Sequence, residues 1–192
     1  MAITGASGSI YGLRLVEELL KSGCGIHLCL SEDAFAVMKA ETGVDLAGRT
    51  DSETGKKIQR HFSSKKVKFY QENNLFAPIS SGSFVTDGMF VLPCTVKTLS
   101  AIAHGYADNL IERSADVTLK EGRLLIIAPR EMPFSPIHLE NMLKLARLGV
   151  TIAPPVPAFY QKPGSIDDVV DFVVGKILDS SGIRHDLFRR WS

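Results

Sequence analysis

Apolar runs of four to six residues alternate with stretches whose apolar positions recur three and four apart. The first pattern is that of a strand buried on both faces, the second that of a helix with one face inward. Leu13, Leu15, Val16, Leu19 and Leu20 define a first helix, which Gly23 closes. Residues 25–30 predict a strand ending at Ser31, and 32–41 a helix with Phe35, Val37 and Met38 inward. Residues 45–66 are polar and without a clear period, a surface excursion with one short helix near 53–62. Strands follow at 67–70, 89–93, 124–128 and 150–153, with helices at 97–106, 137–148 and 165–178. Ser165 caps the last helix, with Asp167 and Asp168 in its first turn. Met1-Ala2-Ile3 is shorter than the roughly five or six residues of a core strand. The first strand is therefore expected to have lost residues, or to begin before the numbering does.

Strand–helix alternation with β-branched runs predicts a parallel sheet covered on both faces, a three-layer α/β fold. No repeat and no linker rich in Pro, Gly or Ser divides the chain, so 1–192 reads as one domain. The tail from Arg184 carries three arginines and ends near Phe188 and Trp191. Exposed aromatics are costly, so residues 180–192 are expected to dock on a neighbouring subunit.

Composition narrows the function. The chain has 192 residues, 45% of them hydrophobic, and a formal net charge of +1. That balance gives no general pull toward nucleic acid or anionic membrane. No apolar run reaches the roughly 18 residues of a membrane span, and no basic stretch followed by an apolar one marks a secretory signal. The three cysteines, Cys24, Cys29 and Cys94, lie in apolar contexts and lack zinc-site spacing, as in a reduced cytoplasmic protein.

The candidate chemistry clusters where strands end. Thr4-Gly5-Ala6-Ser7-Gly8 joins the first strand to the first helix, where glycines let a backbone approach phosphate and a helix start offers N–H donors. It matches neither common dinucleotide fingerprint, since Ser7, Ser9 and Tyr11 stand where glycines are needed. The Ser7 hydroxyl suits one terminal phosphate, although a turn that binds nothing has the same sequence. Ser31 faces the same crevice or merely caps the next helix. Glu41 sits near a helix C-terminus, where the dipole disfavours a carboxylate. Ser81 lies in the loop Ser80-Ser81-Gly82-Ser83, and Thr95, Val96, Lys97 and Thr98 open a helix after the 89–93 strand. Cys94 has no evident partner that would make it a nucleophile. His138 reads as a capping histidine rather than a base. Arg113 and Lys120 are either surface cations or anion ligands; Lys120 precedes the 124–128 strand by a turn and is expected near Arg130 and Glu131. That last pair, held between Pro129 and Pro133 at a strand's carboxyl end, reads as a site for an anion and a proton. Pro154-Pro155-Val156-Pro157 is rigid and delivers Tyr160, while Lys176 on the last helix is a further candidate for phosphate. No metal-ligand cluster is apparent. The set fits phosphorylated ligands and acid–base work without a metal.

Thr-Gly-Ala-Ser-Gly at 4–8, Ser-Ser-Gly-Ser at 80–83, Asn-Leu-Ile-Glu-Arg-Ser-Ala-Asp-Val at 109–117, Leu-Lys-Glu at 119–121 and Pro-Arg-Glu-Met-Pro-Phe-Ser-Pro-Ile-His-Leu-Glu-Asn-Met at 129–142 resemble the UbiX-type flavin prenyltransferase family. The resemblance covers nearly the whole chain and is most specific after the 124–128 strand. It implies a flavodoxin-like, Rossmann-like doubly wound fold that binds reduced FMN. It implies transfer of a dimethylallyl group from dimethylallyl monophosphate to flavin N5, then ring closure at C6. It also implies a product, prenylated FMN, used by a UbiD-type decarboxylase, and a dodecamer with sites between subunits. Residue by residue, Gly5, Ala6, Ser7 and Ser31 match the family's FMN phosphate and ribityl contacts. Ser81, Thr95 to Thr98 and Arg113 match further flavin contacts. Lys120, Arg130, Tyr160 and Lys176 match residues around the prenyl phosphate, Lys176 standing where some members have Arg. Glu41 and Glu131 match acidic residues linked to proton transfer, and Lys120 joins them in the catalytic set. Leu75 replaces a Trp of some members, and Thr95-Val96-Lys97 replaces a commoner Ser-Met-Lys. Two alternatives remain: a flavin-dependent cysteine decarboxylase, whose motif and histidine are missing here, and a non-catalytic FMN carrier.

Overall fold

A computed structural model describes residues 1–190. Six parallel strands form one sheet in the order β3-β2-β1-β4-β5-β6. They are β1 (Ala2–Ile3), β2 (Ile26–Leu30), β3 (Val67–Gln71), β4 (Gly88–Cys94), β5 (Leu124–Pro129) and β6 (Thr151–Ile152). The helices between them are α1 (Ser9–Lys21), α2 (Glu32–Thr42), α3 (Asp51–His61), α4 (Val96–Ala103), α5 (Leu110–Lys120), α6 (Pro136–Arg147) and α7 (Ile166–Ser180). This is the doubly wound topology, and its order reverses between β1 and β4.

Side chains alternate between the two faces, and both faces are apolar. Ile3, Leu28, Leu30, Phe90, Leu92 and Ile126 pack under α1, α2, α3 and α7. Ala2, Cys29, Met89, Val91, Leu125 and Ile127 pack under α4, α5 and α6. The period of two along each strand puts consecutive residues into different cores. This is why the runs read as continuously apolar rather than alternating. β1 is two residues long yet central, pairing Ala2 with Cys29 on one side and with Val91 on the other.

The expected elements are present, with two differences. Within α2 the fully buried positions are Ala34 and Met38, while Phe35 and Val37 are half-buried. The helix α5 is a further element, absent from the expected strand–helix series. Its start is capped by Asn109, whose Oδ1 accepts the Glu112 N–H at 3.0 Å, and Glu112 Oε2 in turn accepts the Asp108 N–H at 2.9 Å. Leu110, Ile111, Ser114, Ala115, Val117 and Thr118 form its buried stripe. The tail folds onto its own chain as far as it is described: Phe188 packs on Phe172 of α7, ring centroids 5.1 Å apart. Trp191 lies outside the described residues. Among those residues no helix is long and apolar enough to cross a membrane.

Candidate active site

The reversal of strand order opens a crevice at the carboxyl ends of β1 and β4. Thr4 stitches its floor: its hydroxyl donates to Pro93 O at 2.8 Å and accepts the Thr95 N–H at 2.9 Å. Gly8, at a positive φ of 98°, turns the chain into α1. The start of α1 is already served by an anion. Glu41 Oε2 accepts the Gly8 and Ser9 N–H groups at 2.9 and 3.0 Å. Partial burial alone would raise the Glu41 pKa, but hydrogen bonds from the Ser7 side chain and from the Ser9 and Gly8 amides outweigh it, and the carboxyl titrates below its ordinary value. The carboxylate disfavoured by the dipole of its own helix is thus held by the positive end of another.

Ser31 precedes α2 in the N-cap position, but its hydroxyl makes no cap hydrogen bond. That oxygen is buried and has no partner among the described residues. A buried polar atom left unpaired at the mouth of a crevice is what a polar ligand would satisfy. Thr95 caps α4 by accepting the Thr98 N–H at 3.2 Å, and donates its own proton to Thr98 Oγ1 at 3.0 Å. The two hydroxyls serve each other. The Val96 and Lys97 amides, at the first positions of α4, have no partner within their helix. They and the dipole end are suited to an anion. The group implied by the resemblance therefore fits: Ser31 and the start of α4 can hold the polar chain and phosphate of FMN.

Beside them, the Arg130 N–H extends the β4–β5 ladder by donating to Cys94 O at 3.0 Å. The Arg130 side chain is exposed and makes no ion pair among the described residues. Among the described residues Glu131 accepts only the neighbouring Met132 N–H, at 3.1 Å. The two charged groups do not pair with each other, so a cation and a carboxylate both stay available at the crevice.

The other predicted residues are elsewhere. β5 runs six residues, about 20 Å, between the crevice and the amino-terminal edge of the sheet. Lys120 ends α5 just before β5 begins, so it lies at that far edge, not near Arg130 and Glu131. Its ammonium pairs with Glu121 at 2.6 Å. The loop carrying Ser81 sits there too, since Arg123 donates to Gly82 O at 2.7 Å. The Ser81 hydroxyl meets Ser83 at 2.9 Å. Arg113 donates to Ser80 O at 3.1 Å and pairs with Asp116 at 2.7 Å. α7 also runs back from the crevice end, because Ser181 just beyond it lines a cavity with Gly25 and Gly88 at the amino-terminal edge. Lys176, ten residues along α7, is about 15 Å from its start. Tyr160 lies edge-on against Phe172 of that helix, centroids 5.7 Å apart. One chain therefore presents three groups: Gly5 to Ser7, Ser31, Glu41, Thr95 to Thr98, Arg130 and Glu131 at the crevice; Arg113 on the first turn of α5, with Ser81 and Lys120 toward the far edge; and Tyr160, in the loop before α7, against that helix with Lys176 farther along it.

Two further residues are settled by their surroundings. Cys94 is fully buried, its pKa is pushed up by that burial, and its thiol donates to Thr95 O at 3.3 Å, so it is no nucleophile. His138 Nδ1 accepts the Ser135 N–H at 3.2 Å in a reciprocal cap of α6. The cavity of about 390 Å³ at the amino-terminal edge is lined by Met1, His27, Met89 and Leu124, at the opposite end from the crevice chemistry.

Residues 1–178 match the family model described as Flavoprotein. Over its full length the chain is 50% identical to the flavin prenyltransferase UbiX of Halalkalibacterium halodurans, covering 91% of that protein. The chain belongs to the UbiX flavoproteins. Its backbone matches that of AnUbiX (PadA1), solved in complex with FMN and dimethylallyl pyrophosphate, with a TM-score of 0.89 and 43% identity over 100% of this chain and 95% of that one. It also matches a dodecameric FMN-dependent UbiX-like decarboxylase from Escherichia coli O157:H7, with a TM-score of 0.86 and 42% identity over all of both chains.

Proposed function

We propose that this chain is a flavin prenyltransferase. It joins a dimethylallyl group to N5 and C6 of reduced FMN and releases the donor's phosphate. The observation that carries the reading is the crevice itself: an orphaned Ser31 hydroxyl, open α4 amides, and an unpaired Arg130 next to Glu131. A carrier that only held FMN would need the first two. It would not need a free cation and a free carboxylate beside them.

Reduced FMN, when bound, would supply an electron-rich N5 to the carbon that loses the phosphate and C6 to the dimethyl-bearing carbon at the other end of the allyl unit. The chain supplies the rest. Arg130 holds the phosphate as the carbon–oxygen bond breaks, because the charge it stabilises grows during departure. Glu131 takes part in the proton transfer that accompanies ring closure, and Glu41 fixes the start of α1 beside it. Lys120 is set apart from this crevice within one chain, while Arg113 belongs to α5 and Lys176 to α7, with Tyr160 packed against α7. In our reading they come from other subunits of a homo-oligomer, the dodecamer being the candidate state. The donor is dimethylallyl monophosphate, whose lighter charge suits a few side-chain cations and no metal. A UbiD-type decarboxylase takes the product, and the reaction runs in the cytoplasm.

The test is anaerobic incubation of the purified protein with reduced FMN and dimethylallyl monophosphate, followed by mass measurement of the released flavin. One added prenyl unit is expected, with slower formation and intact FMN binding in Glu131→Gln. An unchanged flavin mass sinks the enzyme reading and leaves the carrier. Turnover only with the diphosphate corrects the donor.

A further inference from the structure

The segment behind α7 straps two of the separated residues to each other. Gly175 lies in mid-helix, where glycine is disfavoured. A Cβ there would come within 2.5 Å of Phe188 and 2.7 Å of His185, so the bare backbone is the seat of both rings. Phe188 also touches Phe172, which carries Tyr160 on its edge. Gln161 donates to Arg189 O at 3.1 Å, tying the Tyr160 loop to the same strap.

The other end of the strap is a charge cluster around Asp179. His185 Nδ1 accepts the Leu187 N–H at 3.2 Å, which leaves Nε2–H to donate to Asp179 Oδ1 at 3.1 Å. Arg190 donates to Oδ2 at 2.7 Å while its guanidinium lies 5.1 Å from the Phe188 ring centroid. Lys176 stands 3.7 Å from the same oxygen, within ion-pairing range but beyond a hydrogen bond. Both carboxylate oxygens are therefore taken by other donors, and the Lys176 ammonium is left half-exposed and loosely held.

We propose that Arg190 is a positioning residue: by satisfying Asp179 it keeps Lys176 free for the phosphate of the prenyl donor, while Phe188 and Arg189 hold Tyr160 beside it. This rests on the reading that Lys176 and Tyr160 meet that phosphate. Without Arg190, Asp179 is left to capture the nearest cation, which is Lys176.

The experiment measures KM for dimethylallyl monophosphate, and its Kd by calorimetry with oxidised FMN bound, in Arg190→Ala, Arg190→Lys, Asp179→Asn and Arg190→Ala/Asp179→Asn. Arg190→Ala is expected to raise both constants about tenfold, with kcat at saturation and FMN affinity unchanged. Arg190→Lys restores most of the loss. In the Asp179→Asn background the Arg190 substitution has no further effect, because the competing carboxylate is gone. Unchanged donor constants in Arg190→Ala overturn the proposal. A loss that persists without Asp179 also overturns it, assigning Arg190 to the phosphate directly. Should Arg190→Ala fold poorly, Gly175→Ala decides: alanine favours the helix but unseats Phe188, and donor constants that stay unchanged end the idea. Failure of the unsubstituted protein to prenylate flavin is a different result and strikes the function, not the strap.

Discussion

At the residue scale, Glu41 and Ser31 carry opposite signatures. Glu41 is an anion already paired, with a folded pKa below its ordinary 4.5. A carboxyl whose pKa is depressed by folding contributes stability that is fully present above its unfolded pKa. That stability is lost as pH falls through the folded value. The melting temperature of the unsubstituted protein should therefore drop more steeply on acidification below 4.5 than that of Glu41→Gln. Parallel curves would show that the Gly8 and Ser9 amides do not depend on the charge. Ser31 is an unpaired hydroxyl, so its removal leaves the ligand-free protein unharmed. Ser31→Ala should keep or slightly raise the melting temperature while weakening FMN by about 1 kcal/mol, roughly fivefold in Kd. A lower melting temperature with unchanged FMN affinity would make Ser31 structural only. The sequence could not separate ligand from cap at Ser31, because both roles use the same hydroxyl at the same place. Nor could it pair Glu41 with Gly8, since the contact spans 33 residues and follows from packing α2 beside α1.

At the element scale, most of the fold was legible because a parallel sheet covered on both faces needs long apolar runs, and those stand out. The miss is instructive. Asn109 followed three residues later by Glu112 is a capping signature, and the apolar positions of α5 recur at helical spacing. The signal was obscured by its polar members, Glu112, Ser114 and Thr118, all of them buried. Recognising α5 would also have put Lys120 at the far edge of the sheet, since a helix leading into a parallel strand must run back to that strand's start. Asn109→Ala removes the acceptor for the Glu112 amide and should cost about 1 kcal/mol in chemical denaturation. A loss well below that would mean the buried stripe alone holds the helix start. A partial loss of Arg113-dependent function without unfolding would show that the cap also sets the helix's first turn.

At the scale of the whole molecule, the candidate residues do not converge. Sequence spacing could suggest which side chains belong to one reaction, but not that the topology sends α5 and α7 away from the crevice that β4 and β5 open. A site drawn from all three groups is complete only when surfaces of different chains meet, as closed symmetry would repeat around an oligomer. The consequence is measurable by mixing. Lys120→Ala spoils the α5 group of its chain and leaves the crevice intact; Glu131→Gln does the reverse. Each variant alone should be nearly inactive. When the two are dissociated, mixed in equal amounts and reassembled, about a quarter of the sites receive an intact group from each of two chains, and that fraction of activity should return. If each chain carries its own complete site, every site in the mixture keeps one lesion and no activity returns. Recovery near a quarter would therefore support the proposal that Lys120 and Glu131 act on the same ligands from different subunits.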